Sequence, residues 1–383
     1  MSKCPYCDFN SHVGLQHLYR SYTRALVEEI RAWGRELDHG PLDTVFIGGG
    51  TPSLVPAAEI AEVIDAVRAS FQLLPDAEVT MEANPQSAEA ARMDAWLEAG
   101  VNRLSLGVQS LDNDSLRFLE RAHDAAEARD VMRMARRAGF KSLSFDLIFA
   151  IPGMSTECWR EVVGEALAIG PDHLSAYELT PEEGTRLGAQ VAAGTTVLPD
   201  DDTRVAQYEA AQELLGGAGL DRYEVSNWAR PGHRCRHNLT YWSGRPYAAA
   251  GAGAHAFALA AAAPSWLGKP TPGARTVRQW NVASPAAYIA MVREHGNAAG
   301  GHEWLDLSTS AFDLVMMGLR LDEGIDLART DALVAGFAGA TAPVARRLVV
   351  DGLLEARDGH LRATPRGWAV LNQVIAEFLP AVD

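Results

Sequence analysis

Asp43-Thr44-Val45-Phe46-Ile47-Gly48-Gly49-Gly50-Thr51-Pro52-Ser53 begins as a β-branched and aromatic run and breaks into three consecutive glycines. Residues 43–47 read as a strand, residues 56–71 follow with a helical period, and residues 78–82 return to a β-type run, which together make a βα unit. The pattern repeats outward as helix 87–98, strand 102–108, helices 113–119 and 125–138, strand 142–149, helix 155–169, strand 173–179, helix 202–215 and strand 221–226. Such alternation predicts an α/β fold, a parallel sheet curled into a β/α barrel or partial barrel. On the N-terminal side, residues 15–37 read as a helix whose own unit calls for a strand upstream of it.

A chain of 383 residues with 48% apolar content can bury a large core, and its length predicts two or three domains. No run of 18 or more apolar residues appears, because the alanine-rich stretch 248–264 is interrupted by His255 and glycines, and no signal-peptide pattern opens the chain. A cytoplasmic protein without a membrane span is expected, and the four cysteines suit a reducing compartment better than a disulfide framework. The net charge of -15 argues against a nucleic-acid partner, which would need a basic face for counterion release.

Reactive groups of β/α barrels lie where strands end, so the strand ends are where function should be sought. Gly48-Gly49-Gly50 lets backbone approach a ligand without Cβ interference, and it lacks the Gly-Lys-Ser/Thr of a phosphate loop. The next strand ends in Met81-Glu82-Ala83-Asn84-Pro85, Gln109 follows the run 104–108, and Asp146 interrupts the apolar run 143–151, where burial demands a partner. Near the N-terminus, Cys4-Pro5-Tyr6-Cys7-Asp8-Phe9 holds a Cys-x-x-Cys pair, a spacing shared by zinc, thiol-redox and iron-sulfur sites. A zinc finger with His12 and His17 fails on reach, since four residues separate Cys7 from His12 against roughly 12 in such a finger. A thioredoxin-like helix fails as well, because Asp8-Phe9-Asn10-Ser11-His12 reads as loop.

CPYCDF at 4–9, GGGTPS at 48–53, the ME-ANP strand end at 81–85, RLSLGVQS at 103–110 and FDLIFAIPG at 145–153, in this order, resemble the radical S-adenosylmethionine (SAM) proteins related to the oxygen-independent coproporphyrinogen III oxidases. The likeness spans nearly the whole chain. It implies a radical SAM partial barrel, with a [4Fe-4S] cluster held by C-x3-C-x2-C and SAM on the fourth iron. Cys4 and Cys7 match the last two cysteines, and the first would fall before Met1. A chain start placed too late would account for both that cysteine and the strand expected before residue 15; a relative that has lost its cluster is the other reading. By the same resemblance Gly49, Gly50 and Thr51 meet the amino and carboxylate end of SAM, Glu82 its ribose, and Tyr6 its adenine, while Gln109, Arg121 and Asp146 complete the pocket.

Phe9 stands where the oxidases carry a fourth cysteine, and His237-Asn238-Leu239-Thr240-Tyr241-Trp242 is similar to the HNxxYW pattern of the HemW-type heme chaperones. This resemblance implies a carrier that binds heme and hands it to acceptor proteins, membrane-associated ones included, with an electron donor that the sequence does not reveal. The alternative is SAM-dependent oxidative decarboxylation of coproporphyrinogen III. Asn238 belongs to the pattern, Tyr241 and Trp242 offer flat faces to a macrocycle, Arg234 and Arg236 could pair with propionates, and the iron ligand is either His237 or Cys235.

From about residue 302 the β/α rhythm gives way to helices at 311–319, 330–337 and 343–351, then a hairpin over 353–364 turning at Asp358-Gly359, and a last helix over 365–378. Helices with such a wing resemble a winged-helix domain, and the scattered acids, among them Asp313, Asp322 and Glu323, favour a lid or docking role over DNA binding. The expected organisation is a barrel over 1–230, a connecting region with HNxxYW over 231–300, and a winged-helix-like domain over 301–383.

Overall fold

In the computed structural model, which describes residues 3–37 and 40–379, helix and strand alternate through the first 220 residues. α1 (Tyr19–Glu36) precedes β1 (Leu42–Ile47), followed by α2 (Ala57–Ser70), β2 (Leu73–Ala83), α3 (Ala90–Ala99), β3 (Arg103–Gln109), α4 (Asn113–Phe118) and α5 (Ala125–Ala138). Then come β4 (Ser142–Phe149), α6 (Thr156–Ile169), β5 (His173–Glu178), α7 (Arg186–Ala192), α8 (Asp201–Gly217), β6 (Asp221–Arg222) and β7 (Asn227–Ala229). The sheet order is β1-β2-β3-β4-β5-β7-β6, and β1 to β5 are all parallel. The sheet curls into a half-barrel, and among the described residues no strand precedes α1.

Local chemistry sets these boundaries. Asp124 accepts from Glu127 N while the Glu127 carboxylate accepts from Asp124 N, a reciprocal cap that starts α5, and Gly139 at φ 95° ends it. β4 is buried at every position except Asp146, as a strand covered on both faces requires. Trp96, Trp159 and Trp228 are enclosed in the core, where truncating any one to alanine costs about 3–5 kcal/mol.

The strand expected over 221–226 is replaced by the short antiparallel pair β6 and β7, which closes the sheet edge with the opposite polarity. Beyond it, α9 (Arg236–Trp242), β8 (His255–Leu259), β9 (Thr276–Asn281), α10 (Pro285–His295) and β10 (Ala299–Leu305) form a unit around the antiparallel sheet β10-β9-β8. The sequence reading treats this stretch only as a connection and divides the chain at 300, inside β10. β8 and β10 carry alanines and glycines and β9 is Thr-Val-Arg-Gln-Trp-Asn, so no apolar period-2 signal stands out. α1 packs on this unit through Glu29, whose enclosed carboxylate accepts from Gly251 N (2.9 Å), Asn281 Nδ2 (2.8 Å) and the Tyr288 hydroxyl (2.6 Å).

The tail comprises α11 (Leu307–Gly318), β11 (Ile325–Asp326), α12 (Leu327–Leu333), α13 (Phe337–Val350), β12 (Leu354–Arg357), β13 (His360–Ala363), α14 (Pro365–Trp368) and α15 (Leu371–Ala376), with sheet order β11-β13-β12. The expected wing is present: Asp358 and Gly359 take φ of 51° and 80° at the hairpin turn. Two helix expectations shift. Gly336 at φ 96° separates α12 from α13, and the single helix expected over 365–378 breaks at Val370, whose φ is −128°. The Arg222 guanidinium lies 4.1 Å from the Trp368 ring centroid and donates to Asp322 at 2.7 Å, tying this unit to the sheet edge.

Candidate functional site

The ends of β1 to β4 bring the expected strand-end residues together. Gly49, at φ 113°, donates its N–H to Glu82 Oε2 at 3.1 Å. A Cβ on Gly48 would sit 2.8 Å from the same oxygen, so only glycine admits this approach. The Thr51 hydroxyl accepts from Asn84 Nδ2 at 3.2 Å, which ties the glycine loop to the end of β2. Arg121 donates to Asn84 Oδ1 (2.7 Å) and Gly107 O (2.9 Å), and its other terminal nitrogen lies 3.7 Å from Cys4 Sγ. Gln109 ends β3 in the left-handed region at φ 68°, a costly conformation for a non-glycine residue that the packed strand end must hold.

Two carboxylates face this mouth. Burial first, and the neighbouring Asp146 charge second, push the Glu82 carboxyl up to about 7. Asp146 accepts from Ser105 Oγ (3.1 Å) and Ser175 Oγ (2.8 Å), which answers the demand its burial makes, and desolvation still raises its pKa. Cys4 and Cys7 share one turn, closed by Cys7 N donating to Cys4 O at 3.3 Å, and Pro5 O accepts from Leu187 N of α7 at 2.9 Å. Tyr6 is packed inward between them, and desolvation raises its phenol pKa. Among the described residues no group of three His, Cys, Asp or Glu side chains stands close enough to hold a metal ion.

A cavity of about 610 Å³, within the range of small-molecule sites, opens between the β5–β7 edge, α9, β8 and α11. Asn238, Tyr241 and Trp242 line it, as do Tyr177, His255 and Met317. Three of the five expected heme contacts therefore border one hollow, and the other two stand behind it. The His237 ring lies 4.9 Å from Phe46 at an interplanar angle of 14°, with Nδ1 bonded to Thr44 Oγ1 (2.9 Å) and Nε2 to the Tyr241 hydroxyl (2.7 Å). Desolvation holds its pKa down at about 4, so the ring is neutral and both nitrogens are engaged. Cys235 is buried and its thiol is directed to Glu78 Oε1 at 3.5 Å. Burial pushes that thiol up to about 11, far from the thiolate an iron ligand would need.

The expected propionate partners are occupied as well. Arg236 pairs with Asp76 at 3.3 Å and Asp43 at 4.0 Å, and Arg234 with Glu323. Tyr177 and Met317 escaped sequence reasoning because they come from β5 and α11, which only the tertiary fold unites with β8; His255, at the end of Gly251-Ala252-Gly253-Ala254, was legible in sequence as following HNxxYW but without a role. Another hollow, of about 480 Å³, lies between α5 and α6 beside Arg129, Arg133 and Arg136, whose partners are Glu165, Asp130 and Asp172. No strand-end residue borders it.

Comparison with known proteins bears on both sites. Residues 1–166 match the model of the radical SAM superfamily and residues 305–370 that of the HemN C-terminal domain. The chain is 36% identical over 382 residues to "Heme chaperone HemW" of Mycobacterium tuberculosis (strain ATCC 25618 / H37Rv), covering 99% of this chain and 92% of that protein. It is 33% identical over 386 residues to "Heme chaperone HemW" of Escherichia coli (strain K12), covering 99% and 95% respectively. Among solved structures, coproporphyrinogen III oxidase (HemN) from Escherichia coli, a radical SAM enzyme, superposes with a TM-score of 0.80 over 100% of this chain and 88% of that one. At 21% sequence identity that likeness establishes the shared fold.

Proposed function

The chain belongs to the HemW heme chaperone family within the radical SAM superfamily, and from that membership we propose that it binds heme in the 610 Å³ cavity and releases it to acceptor proteins. The observation that carries this reading is the wall formed by Asn238, Tyr241 and Trp242, the part of HNxxYW that faces the hollow. A tyrosine and a tryptophan ring offer flat apolar surface to a macrocycle while their polar tips fix orientation. Tyr177 adds a third ring, 41% exposed at the cavity.

Radical SAM proteins hold a [4Fe-4S] cluster and SAM, and this chain's residues meet the two requirements unequally. The strand-end cradle fits SAM: a glycine loop in which Gly48 leaves no room for a Cβ and Gly49 takes a positive φ, two carboxyls for an amine or ribose hydroxyls, and Arg121 as the nearby cation. Cys4 and Cys7 supply two thiols, one short of the three that leave an iron open for SAM, and among the described residues no third donor stands beside them. The SAM cradle supports a ligand-binding role for the mouth, separate from the heme cavity.

Four free cysteines support residence in the cytoplasm, a reducing compartment. Among the described residues no helix is long and apolar enough to cross a membrane. The test is a hemin titration of the purified chain, followed by mixing of the complex with an apo-heme protein. Saturation at one heme per chain and appearance of the acceptor's holo spectrum are expected. Unsaturable, nonspecific absorbance would reject the reading.

A further inference from the structure

We propose that His255, and not the histidine of the HNxxYW pattern, is the axial ligand of the heme iron. The inference rests on the heme-binding reading above and deepens it by naming the atom that meets the metal.

Protein ligands to heme iron are imidazole, thiolate, thioether or phenolate. His255 is the only imidazole among the described residues that line the cavity, and from β8 it borders the same hollow as Asn238, Tyr241 and Trp242 of α9. It is exposed to the hollow, and among the described residues neither of its ring nitrogens has a hydrogen-bond partner, so a lone pair is free to bind a metal. His237 is excluded by its bonds: ligation would require giving up the Tyr241 hydroxyl or Thr44, together with the stack on Phe46. The Cys235 thiol is enclosed behind the wall and directed at Glu78. Phenolate ligation by Tyr241 would cost its hydroxyl the bond to His237 Nε2 at 2.7 Å, and ligation by Tyr177 would require loss of a phenol proton ordinarily held to about pH 10, whereas imidazole binds in its neutral form. Met317 of α11 remains as a thioether bordering the same hollow, a weaker donor than imidazole for ferric iron.

A ligand must also be held in place. The His255 ring lies 6.3 Å from the Trp280 ring, and its backbone pairs with Trp280 across β8 and β9. The preceding turn is fastened on two sides. Glu29 accepts from Gly251 N, and Asn10 Nδ2 donates to Ala252 O at 3.1 Å and Ala283 O at 2.9 Å. Ala252 N donates to the Tyr22 hydroxyl at 2.8 Å, and Gly253 N to Val282 O at 3.0 Å. The segment that delivers this imidazole is thus pre-ordered, as a binding site with a precise metal contact requires. His237 acts one step back, orienting the Tyr241 ring through its hydroxyl.

The test compares hemin binding by the full chain with His255→Ala, His255→Gln and His237→Ala, reading the Soret and visible bands and the ferric EPR spectrum, with circular dichroism melts as a control on folding. His255 is exposed, so its truncation leaves no core cavity. We expect both His255 variants to melt like the parent, to bind hemin about tenfold or more weakly, and to lose the imidazole-ligated signature, which added free imidazole restores. His237→Ala is expected to bind more weakly while keeping that signature. Unchanged spectra and affinity in the His255 variants, or loss of the imidazole signature in His237→Ala alone, would overturn the assignment while leaving heme binding intact. Absence of saturable binding by the parent chain would remove the heme reading itself, and the assignment with it.

Discussion

Replacing Glu224 by glutamine makes the protein more stable above neutral pH and changes little in acid. The carboxyl lies on the cavity wall at 0% exposure. Desolvation raises its pKa from 4.5 to about 7, outweighing the hydrogen bonds from Asn227 and from the backbone of Ser226 that favour its charge. Oε1 accepts from Ser226 N at 3.2 Å, whereas among the described residues Oε2 has no donor. Below about pH 4.5 folded and unfolded chains are both protonated at this site, and it has no effect on stability. Between the two pKa values the unfolded chain releases a proton that the native protein keeps, so stability falls by about 1.4 kcal/mol per pH unit. Above the folded pKa the full difference, about 3 kcal/mol, is lost. Glutamine keeps the acceptor for Ser226 and carries no charge, so it recovers that amount. In urea unfolding, the advantage of Glu224→Gln should grow from under about 1 kcal/mol near pH 5 to about 3 kcal/mol near pH 8. A difference that does not vary with pH, or a parent chain more stable than the variant at the alkaline end, would refute this account.

Glu29→Ala should be among the most disruptive single changes, because Gly251 N, Asn281 and Tyr288 all lose a buried acceptor; urea unfolding should show a loss of about 3–5 kcal/mol. Gly253→Ala puts a side chain at φ 69° and a Cβ 2.6 Å from Asn10 Nδ2, and a fall of about 1–2 kcal/mol, seen as a lower melting temperature, is expected. His237→Phe keeps a ring over Phe46 but deprives Thr44 and Tyr241 of a partner. Hemin titration should then show binding weakened by about 1 kcal/mol, with the iron spectrum retained.

The barrel was legible because its signals are local. α5 and β4 fall on the spans read from sequence, since Asp124, Glu127 and Gly139 mark the helix ends and an apolar run broken only by Ser144 and Asp146 marks the strand. β6 and β7 were misread because a run of β-type residues does not reveal strand polarity, and Asn227 belongs to the returning strand. Strand-end residues such as Glu82 and Gln109 could be placed at one mouth once the fold class was known, whereas Arg121 reaches it from the loop between α4 and α5. The cavity wall could not, because Tyr177, His255 and Met317 lie on three elements whose meeting depends on an antiparallel sheet with no period-2 pattern. For His237, sequence shows that an imidazole is present but not that Thr44, 193 residues away, already holds one of its nitrogens.

Asn10 lies three residues beyond Cys7, and its amide is fastened to Ala252 O and Ala283 O, on either side of the cavity sheet. Two segments far apart in the chain are thereby ordered as one body, the first carrying the thiols and the second carrying His255. The Asn10 amide thus joins the thiol loop to a turn that Glu29, Tyr22 and Val282 O hold as well.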